Sequence, residues 1–522
     1  MNSSRIACAL RAICLIGMAV VPIFAVANPI VTHELKHDLS GPLHQVVMPA
    51  QSRGPTQAPL AQPTRSPFTS LQSDPVARTV SGAGLNVGIG LNFDGLNARP
   101  DTVASGGPFV PPDTNGAVGA TQFVQWVNVT FEVFDKATGA TVLGPTPGNA
   151  FWKGFGGPCE TRNDGDIIIQ YDKAAARWIA AQPVFVAPFM YCLAISTTSD
   201  ATGSYNRYAF EFPVDDFPDY PKLGVWPDAY YATFNIFTPR KFAGAMACAY
   251  DRANMLAGNA ATAVCFQQPS NVSSLLPSDL DGTTAPPAGA PNFMLGIADA
   301  TDLFIFRFHV DFASPANSTF TGPGLIPVAP FNEICNRAKV RACIPEPPPG
   351  QKVDAISDRL MYRLAYRNFG DHESLVANHT VAGGPLAGVR WYEIRNPSAV
   401  PFVSQQGTVV AADVNFWMGS IAMDKAGDIA LGFSASSDGL DPSVEIVGRT
   451  PADPAGNMLG PTTVAIGTGV QQDSFHRWGD YSSMAVDPQD DCTLWYTQEY
   501  YLANGESNWS TRITSFKFPS CK

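Results

Sequence analysis

The sequence predicts an all-β protein, and three observations lead to that prediction. From about Val80 onward, short runs rich in Val, Ile, Phe, Tyr, Trp and Thr alternate with Gly, Pro, Asn and Asp. Apolar patterns of helical period are nearly absent from the same region. The 522-residue chain also contains 45 glycines and 45 prolines, which a fold with many tight turns requires.

One hairpin layout recurs along the chain and indicates the kind of β-fold. Each copy has a run of about six residues, a turn residue and a second strand, and successive copies start roughly 50 to 70 residues apart, near the length of kelch-type repeats. The turn residue is Asp172, Asp228, Asp299, Asp371, Asp424 or Asp487 in six copies, and Gly119 in the seventh. Seven such units predict a β-propeller with seven blades of four-stranded antiparallel sheets. Two packed β-sandwich domains are the alternative, although a sandwich does not require one hairpin layout seven times.

Three regions divide the chain. Residues 1–27 have Arg5 and Arg11, an apolar run and a small-residue end at Ala25-Val26-Ala27, which predicts a signal peptide cleaved near Ala27. Residues 28–79 are rich in Pro, Ser and Gln, so we expect a disordered linker or pro-segment. Residues 80–522 form the predicted propeller domain. No later run approaches the roughly 20 apolar residues of a membrane span, so we expect secretion to the periplasm or the extracellular space.

The cysteines agree with export. Eight of the 10 lie beyond the signal, and an even number in an exported chain favours disulfides. Neighbour pairing would join Cys159 to Cys192, Cys248 to Cys265, Cys335 to Cys343 and Cys492 to Cys521, although eight cysteines allow about 105 connectivities.

Charge excludes one class of partner. Without residues 1–27 the chain has 31 Lys and Arg against 45 Asp and Glu, a net charge of −14. Such a chain repels phosphate backbones, and no basic patch interleaved with aromatic residues offsets that repulsion. We therefore expect no nucleic acid ligand, and a monomer that binds a carbohydrate or another cell-surface ligand.

In a propeller, residues just before each first strand converge on one central funnel. Counting back from the turn residues gives carboxylates, cations and aromatic rings at these positions. Paired carboxylates supply acid and base roles in glycosidic cleavage, arginines grip carboxylated sugars, and aromatic faces stack on sugar rings. The predicted catalytic residues are Asp113, Asp166 and Asp480, and the predicted substrate-binding residues are Tyr220, Lys222, Arg363, Trp417, Arg477, Trp478 and Tyr481.

Metal and cofactor signals are weak. His372, Glu373 and His379 lack the spacing of a helical zinc motif, and on a strand His372 and Glu373 point to opposite faces. The stretches "PPDTNG" and "DKAGDI" resemble fragments of calcium loops without the terminal Glu. We expect no cofactor, with a structural calcium ion in the channel as the open alternative. No GxSxG elbow supports a serine nucleophile.

Several segments carry a resemblance to a known group. They are "PPDTNGAVGATQFVQWVN", "DRLMYRLAYRNFGDHESLVANHTV", "WMGSIAMDKAGDIALGFSASS" and "RWGDYSSMAVDPQDDCTLWYTQEYY". These resemble a widespread group of uncharacterised secreted bacterial propellers, loosely called sialidase-like or BNR-like. The resemblance implies a propeller fold and export. The Asp boxes of true sialidases, S-x-D-x-G-x-x-W, do not occur at the turns of this chain.

Two functions follow as hypotheses. In the first, a secreted propeller binds an extracellular carbohydrate in its central funnel; if it also cleaves that carbohydrate, it is a sialidase-like glycoside hydrolase or a polysaccharide lyase. In the second, the protein is a non-catalytic adhesion or protein-interaction scaffold. An open cleft with two carboxyl groups about 5 to 10 Å apart would favour the first, and a channel filled by side chains would favour the second.

Overall fold

The fold is known from a computed structural model, which describes residues 28–48, 56–57, 73–80, 84–99, 109–239, 241–335 and 341–522. The predicted signal peptide at residues 1–27 lies outside them. Strands dominate. The first ten are β1 (Ile30–His33), β2 (Lys36–Leu39), β3 (Thr56–Gln57), β4 (Ala77–Thr79), β5 (Gly88–Asn97), β6 (Phe109–Val110), β7 (Asn115–Val118), β8 (Gln122–Val127), β9 (Thr130–Asp135) and β10 (Thr141–Pro147).

The remaining strands complete the sheets. They are β11 (Ile168–Asp172), β12 (Arg177–Val184), β13 (Met190–Ser196), β14 (Tyr205–Glu211), β15 (Phe217–Val225), β16 (Ala229–Phe237), β17 (Phe242–Asp251), β18 (Thr262–Gln267), β19 (Leu276–Leu280), β20 (Asn292–Ile297), β21 (Asp302–His309), β22 (Thr319–Pro327), β23 (Ala342–Ile344), β24 (Val353–Asp354), β25 (Met361–Asn368), β26 (Glu373–Ala382), β27 (Ala387–Arg395), β28 (Phe402–Val410), β29 (Asn415–Met423), β30 (Ile429–Ser437), β31 (Leu440–Arg449), β32 (Leu459–Ala465), β33 (Ser483–Val486), β34 (Leu494–Tyr500) and β35 (Ser510–Lys517).

The helices of the described residues are short. They are α1 (Gly157–Thr161), α2 (Arg252–Ala257) and three 3₁₀ turns at Leu43–Gln45, Gly148–Trp152 and Pro315–Asn317. The side chain of Asp251 accepts a hydrogen bond from the Asn254 N–H at 3.1 Å and caps α2. Gly258 ends α2 with φ +74°, a conformation that glycine adopts at little cost.

The strands form seven four-stranded antiparallel units, here named A to G. Unit A is β7–β10, B is β11–β14, C is β15–β18, D is β19–β22, E is β25–β28, F is β29–β32, and G is β33–β35 with β5. Strand β5 therefore comes from the start of the domain and completes the last unit. The first strands of D and E pair in parallel and join those units into one sheet. This confirms the all-β prediction.

The first strands of the units follow one another in space in chain order. Each contacts the first strand of the next unit, from β7 through β11, β15, β19, β25, β29 and β33, and β33 contacts β7 again. Apolar clusters fill the spaces between units. The largest cluster takes residues from C, D and E, and another joins B to C. Packing between neighbouring sheets, rather than within one sheet, thus supplies the core.

The predicted hairpin is the first hairpin in every unit except D. In D the hairpin that contains Asp299 joins β20 to β21, which are the second and third strands. The first strand is β19, and the Asp281-Gly282 turn follows it. The prediction missed β19 because the strand is short and carries a proline, Pro277.

Turn aspartates act locally as predicted in four of the hairpins. One carboxylate oxygen accepts a hydrogen bond from an N–H two or three residues downstream, which closes the turn. The acceptors and donors are Asp172 with Ala175, Asp299 with Thr301, Asp424 with Ala426 and Asp487 with Gln489, at 2.7 to 3.0 Å.

Four disulfides have the predicted neighbour pairing. They join Cys159 to Cys192, Cys248 to Cys265, Cys335 to Cys343 and Cys492 to Cys521. Disulfides of this number indicate an oxidising, extracellular-type compartment. In the part of the chain that the structure describes, no helix is long and apolar enough to cross a membrane.

Part of the region expected to be a disordered linker is ordered. Strand β1 pairs with β18 of unit C, β2 pairs with β14 of unit B, and β4 pairs with β28 of unit E. The prediction fails for these residues because main-chain hydrogen bonds to sheet edges hold them in place. Most side chains of β1 and β2 stay exposed, so the sequence has no alternating apolar pattern that would reveal a strand.

Candidate functional site

Sequence counting singled out residues around the start of each first strand, and five residues there share an unusual backbone. Asp113, Asp166, Tyr220, Met418 and Asp480 have φ between +50° and +56°. This left-handed conformation is uncommon for residues other than glycine, and Asp and Asn adopt it most readily among them. The same conformation recurs around the start of the first strand in units A, B, C, F and G.

Seven of the ten predicted site residues meet in one buried cluster. The carboxylates of Asp166 and Asp480 lie near that of Asp113, together with the cations Lys222 and Arg477. Arg477 forms an ion pair with Asp480. The Tyr220 N–H donates to Asp166 at 3.2 Å, and the Tyr481 hydroxyl donates to the Ile167 carbonyl at 2.9 Å.

Lys222 lies between two aromatic rings of this cluster. Its Nζ is 3.4 Å from the ring centroid of Tyr220 and 4.2 Å from that of Tyr481, both within the range of a cation–π contact. The Arg359 guanidinium covers the ring of Tyr220 at 4.5 Å. Sequence reasoning missed Arg359 as well as Asp219, which interacts with Asp166 and Asp480.

Burial changes the protonation of the cluster. Burial, with the nearby charges of Asp480 and Asp166, raises the pKa of Asp113 well above its usual value. Burial and then Asp480 raise the pKa of Asp166 to about 6. Burial lowers the pKa of Lys222 to about 8, although the surrounding carboxylates oppose that change. Among the residues that the structure describes, neither carboxylate oxygen of Asp113 has a hydrogen-bond partner.

The predicted funnel is closed at this end. Each of the ten predicted residues is at most 5% exposed. Trp417 and Trp478 pack against each other at 5.5 Å in an apolar cluster, and the Trp478 Nε1–H donates to Ser434 at 3.0 Å. Ligand binding by these residues stays a prediction, and a ligand could reach them only after the side chains around them move.

Arg363 lies in a separate network. It forms ion pairs with Asp279 at 2.6 Å and with Asp281, and its Nη1 donates to the Met484 carbonyl at 2.9 Å. Asp279 also accepts hydrogen bonds from the Gln170 side chain and the Val225 N–H. These partners come from B, C, D, E and G, so side chains fill the space between the first strands. Asp279 and Asp281 were missed because β19 was missed.

An open pocket lies beyond this network, at the other end of the first strands. Its volume is about 400 Å³. The lining comes from the ends of the first strands of B, C and D, from the loops that follow the first strands of B, C, D and G, and from the start of α2: Asp172, Lys173, Ala174, Val225, Trp226, Pro227, Arg252, Leu280, Gly282, Thr283, Ala285, Pro488 and Asp491. We name it the turn-face pocket. Sequence reasoning assigned the turn aspartates a structural role and did not predict a cavity beside them.

Every charged residue that lines the turn-face pocket has an oppositely charged partner. Arg252 pairs with Asp172 through two bonds of 2.6 and 3.1 Å, and Lys173 pairs with Asp281. Asp491 pairs with Arg367 through bonds of 2.7 and 2.6 Å. Gly282, with φ +77°, leaves room for the Arg367–Asp491 pair beside it, because a Cβ at this position would lie 2.5 Å from Arg367 Nη1. The charged side chains that line the pocket therefore balance to no net charge, and apolar side chains such as Trp226 and Leu280 form much of the rest of the lining.

Metal sites are not evident in the described ranges. No group of three or more His, Cys, Asp or Glu side chains in those ranges could hold a metal ion. His372 bonds to Asp371, and Glu373 accepts a bond from Tyr366, so these two side chains serve separate local contacts. His379 stacks on Tyr392 in the interior.

Comparisons with known proteins give remote structural similarities. No protein-family model and no curated protein matches the chain. The N-terminal domain of Nup159 is 10% identical with a TM-score of 0.36, over 85% of this chain and 100% of its own. An α-L-arabinofuranosidase from Fusarium graminearum is 9% identical with a TM-score of 0.34, over 82% and 98% of the two chains. An α-L-arabinanase from Penicillium chrysogenum is 8% identical with a TM-score of 0.33, over the same shares. None supports the resemblance to sialidase-like proteins, and similarities this remote define no function for the chain.

Proposed function

We propose that the protein is an exported, seven-bladed β-propeller that binds a carbohydrate in the turn-face pocket. The blade arrangement is supported by the cyclic contacts of the first strands, from β7 to β33 and back to β7. It is also supported by β5, which supplies the outer strand of unit G from the other end of the domain and so ties the two ends together. Export is supported by the predicted signal at residues 1–27 and by the four disulfides.

The position of the turn-face pocket supports a site on the propeller axis. In a ring ordered A to G, unit G neighbours F and A, and it is separated from C and D on both sides. A cavity lined by Val225 of C, Gly282 of D and Asp491 of G must then lie near the centre. Ligands commonly bind where loops from several repeated units meet.

The paired charges of the pocket are the reason for proposing a neutral ligand. A pocket with three matched ion pairs has fixed donors and acceptors, yet it attracts neither anions nor cations strongly. A neutral saccharide offers many hydroxyl groups and no charge, so it fits such a lining. A volume of about 400 Å³ lies within the range for small ligands. We therefore expect one or two neutral sugar residues to occupy the pocket.

A pocket-filling variant tests this proposal. Ala174→Trp places an indole in the pocket mouth and should reduce the affinity for any hit from a glycan array at least tenfold. Ala137→Trp is the matched control, because Ala137 is exposed, also follows an Asp-Lys pair in a turn, and does not line the pocket. Equal affinities of the two variants and the parent chain, measured by calorimetry, would contradict the proposed site.

Hydrolysis at the buried cluster is a second candidate. Its support is the spread of protonation among close carboxylates: burial favours the neutral acid at Asp113 and Asp166, whereas Asp480 is paired with Arg477. A neutral acid beside a carboxylate is the arrangement that glycosidases use. Substrate would have to displace the groups that now bury these residues.

Turnover separates the two candidates. If the cluster hydrolyses glycosides, Asp113→Asn and Asp480→Asn should each lower kcat by at least about 100-fold, while Ala174→Trp, at the other end of the first strands, should leave kcat and KM unchanged. Product analysis by mass spectrometry on every array hit measures this. Binding without product would leave the protein as a carbohydrate-binding module. If the protein neither binds nor cleaves a glycan, and substitution of residues on the outer rim of the units abolishes binding of a protein partner, the scaffold alternative is favoured.

A further inference from the structure

The N-terminal segment, residues 28–48, lies along the outer edges of two units. Strand β1 pairs antiparallel with β18 of unit C, and β2 pairs antiparallel with β14 of unit B. Between them the chain crosses from one unit to the next. At the crossing, the Glu34 N–H donates to Ala261 at 3.2 Å and the Leu35 N–H donates to Ala209 at 2.8 Å.

The two edges that the segment covers differ from three outer edges, those of units A, D and F, on which the described residues place no further strand. The outer strands β10, β22 and β32 each contain a Gly-Pro pair, at Pro145, Pro323 and Pro461, and each shows an irregular register. Proline removes an N–H from the edge, and irregular strands resist pairing with another chain. Strands β14 and β18 have no proline and pair without a register shift. They keep full capacity to accept another strand.

Side chains fix the segment in one register. Asp38 accepts two hydrogen bonds from Arg207 at 2.7 and 2.8 Å, and the Ser40 hydroxyl oxygen accepts one from the Tyr205 N–H at 2.8 Å. Leu43 is 2% exposed and packs into the apolar cluster between A and B. Leu39, by contrast, is 63% exposed.

We infer that the joined edges of β14 and β18, with the pocket for Leu43, form a binding site for an extended peptide, which the chain's own N-terminal segment occupies. This site is separate from the turn-face pocket and does not depend on carbohydrate binding. Recognition combines strand addition, which supplies main-chain bonds, with two specific anchors, Asp38 and Leu43. Occupation in the same chain also prevents two copies from pairing through these edges.

Cleavage of the folded full chain tests the site. A protease recognition sequence placed within residues 58–72 leaves every described strand intact. After cleavage, the N-terminal fragment should co-elute with the rest of the chain, here called the body. A fluorescent peptide of residues 28–48, added in excess, should replace that fragment. Fluorescence anisotropy then measures the affinity of peptide variants. Circular dichroism should show a body with unchanged β-structure, and the body freed of peptide should self-associate on gel filtration.

Two leucine variants make the test specific. Leu43→Ala in the peptide should weaken binding at least tenfold, whereas Leu39→Ala should change it less than threefold, because only Leu43 is buried. Separation of the cut segment without rebinding of the labelled peptide at about 100 µM would overturn the inference. Unfolding of the body on release of the segment, or equal effects of the two leucine variants, would overturn it as well.

Discussion

Replacing Arg363 by methionine is expected to lower the free energy of unfolding by about 3 to 5 kcal/mol, the cost of leaving buried charges without their partner. Methionine preserves part of the side-chain volume, so the loss reports charge more than packing. Asp279 and Asp281 are both 2% exposed or less and both depend on Arg363. Burial raises the pKa of Asp281, and Arg363 and Lys173 lower it by more, so the folded pKa is below the usual value.

Chemical denaturation at neutral pH measures this effect. Arg512→Met is the matched control, because Arg512 pairs with Asp94 at the surface and such pairs contribute about 1 kcal/mol or less. Adding Asp279→Asn to Arg363→Met should recover part of the loss, since Asp279 loses its ion pair with Arg363, whereas Asp281 keeps its pair with Lys173. If Arg363→Met costs no more than Arg512→Met, the network between the first strands contributes little to stability.

Replacing Asp113 by asparagine is expected to stabilise the protein at pH 8. Burial disfavours the charged form of Asp113, and no side chain or main-chain group in the described ranges bonds to its carboxylate. Asparagine has nearly the same shape without the charge. We expect a gain of about 1 to 3 kcal/mol in the free energy of unfolding, the range for a buried polar group that lacks a hydrogen-bond partner.

The gain should depend on pH in one direction. A carboxyl group whose pKa is raised on folding, as at Asp113, binds its proton more tightly in the folded chain, so the stability it contributes is present below its unfolded pKa, near 3.8, and is lost as pH rises through its folded pKa. Asp166, with a folded pKa of about 6, follows the same rule between about pH 4 and pH 6. The advantage of Asp113→Asn should therefore shrink toward zero near pH 4.

Asp490→Asn provides a control of opposite sign. Although partial burial opposes it, bonds from Thr493 and Cys492 N–H groups lower the pKa of Asp490 to about 2, so the charged form is favoured in the folded chain. This variant should lose stability at pH 8. Thermal unfolding of both variants across this pH range tests the pair. Destabilisation by Asp113→Asn at pH 8 would show that the charge of Asp113 is favourable in the folded protein.

Much of the fold could be predicted from the sequence because strand alternation and turn chemistry are local. The turn roles of Asp172, Asp299, Asp424 and Asp487 depend only on N–H groups two or three residues away, so a short window contains the whole signal. Neighbour pairing of cysteines succeeded for a related reason. Cys248 and Cys265, for example, face each other on adjacent strands of one unit.

Long-range features were harder to predict. The order of residues 30–39 depends on free edges at β14 and β18, which no local pattern in the segment reveals. Counting from the turns indicated that Asp113, Asp166 and Asp480 lie close together, because each precedes its turn residue by six or seven residues. Counting could not show their burial or the turn-face pocket. Both depend on how loops from different units pack against one another.

A crystal structure of the mature chain soaked with its tightest glycan-array hit tests the central claim most directly. We predict density for sugar in the turn-face pocket, with hydroxyl groups bonded to the Asp172–Arg252 and Arg367–Asp491 pairs and the ring near Thr283 and Pro488. Density confined to the outer rim of the units, or to the buried cluster around Asp113, would contradict a carbohydrate site on the axis at the turn face.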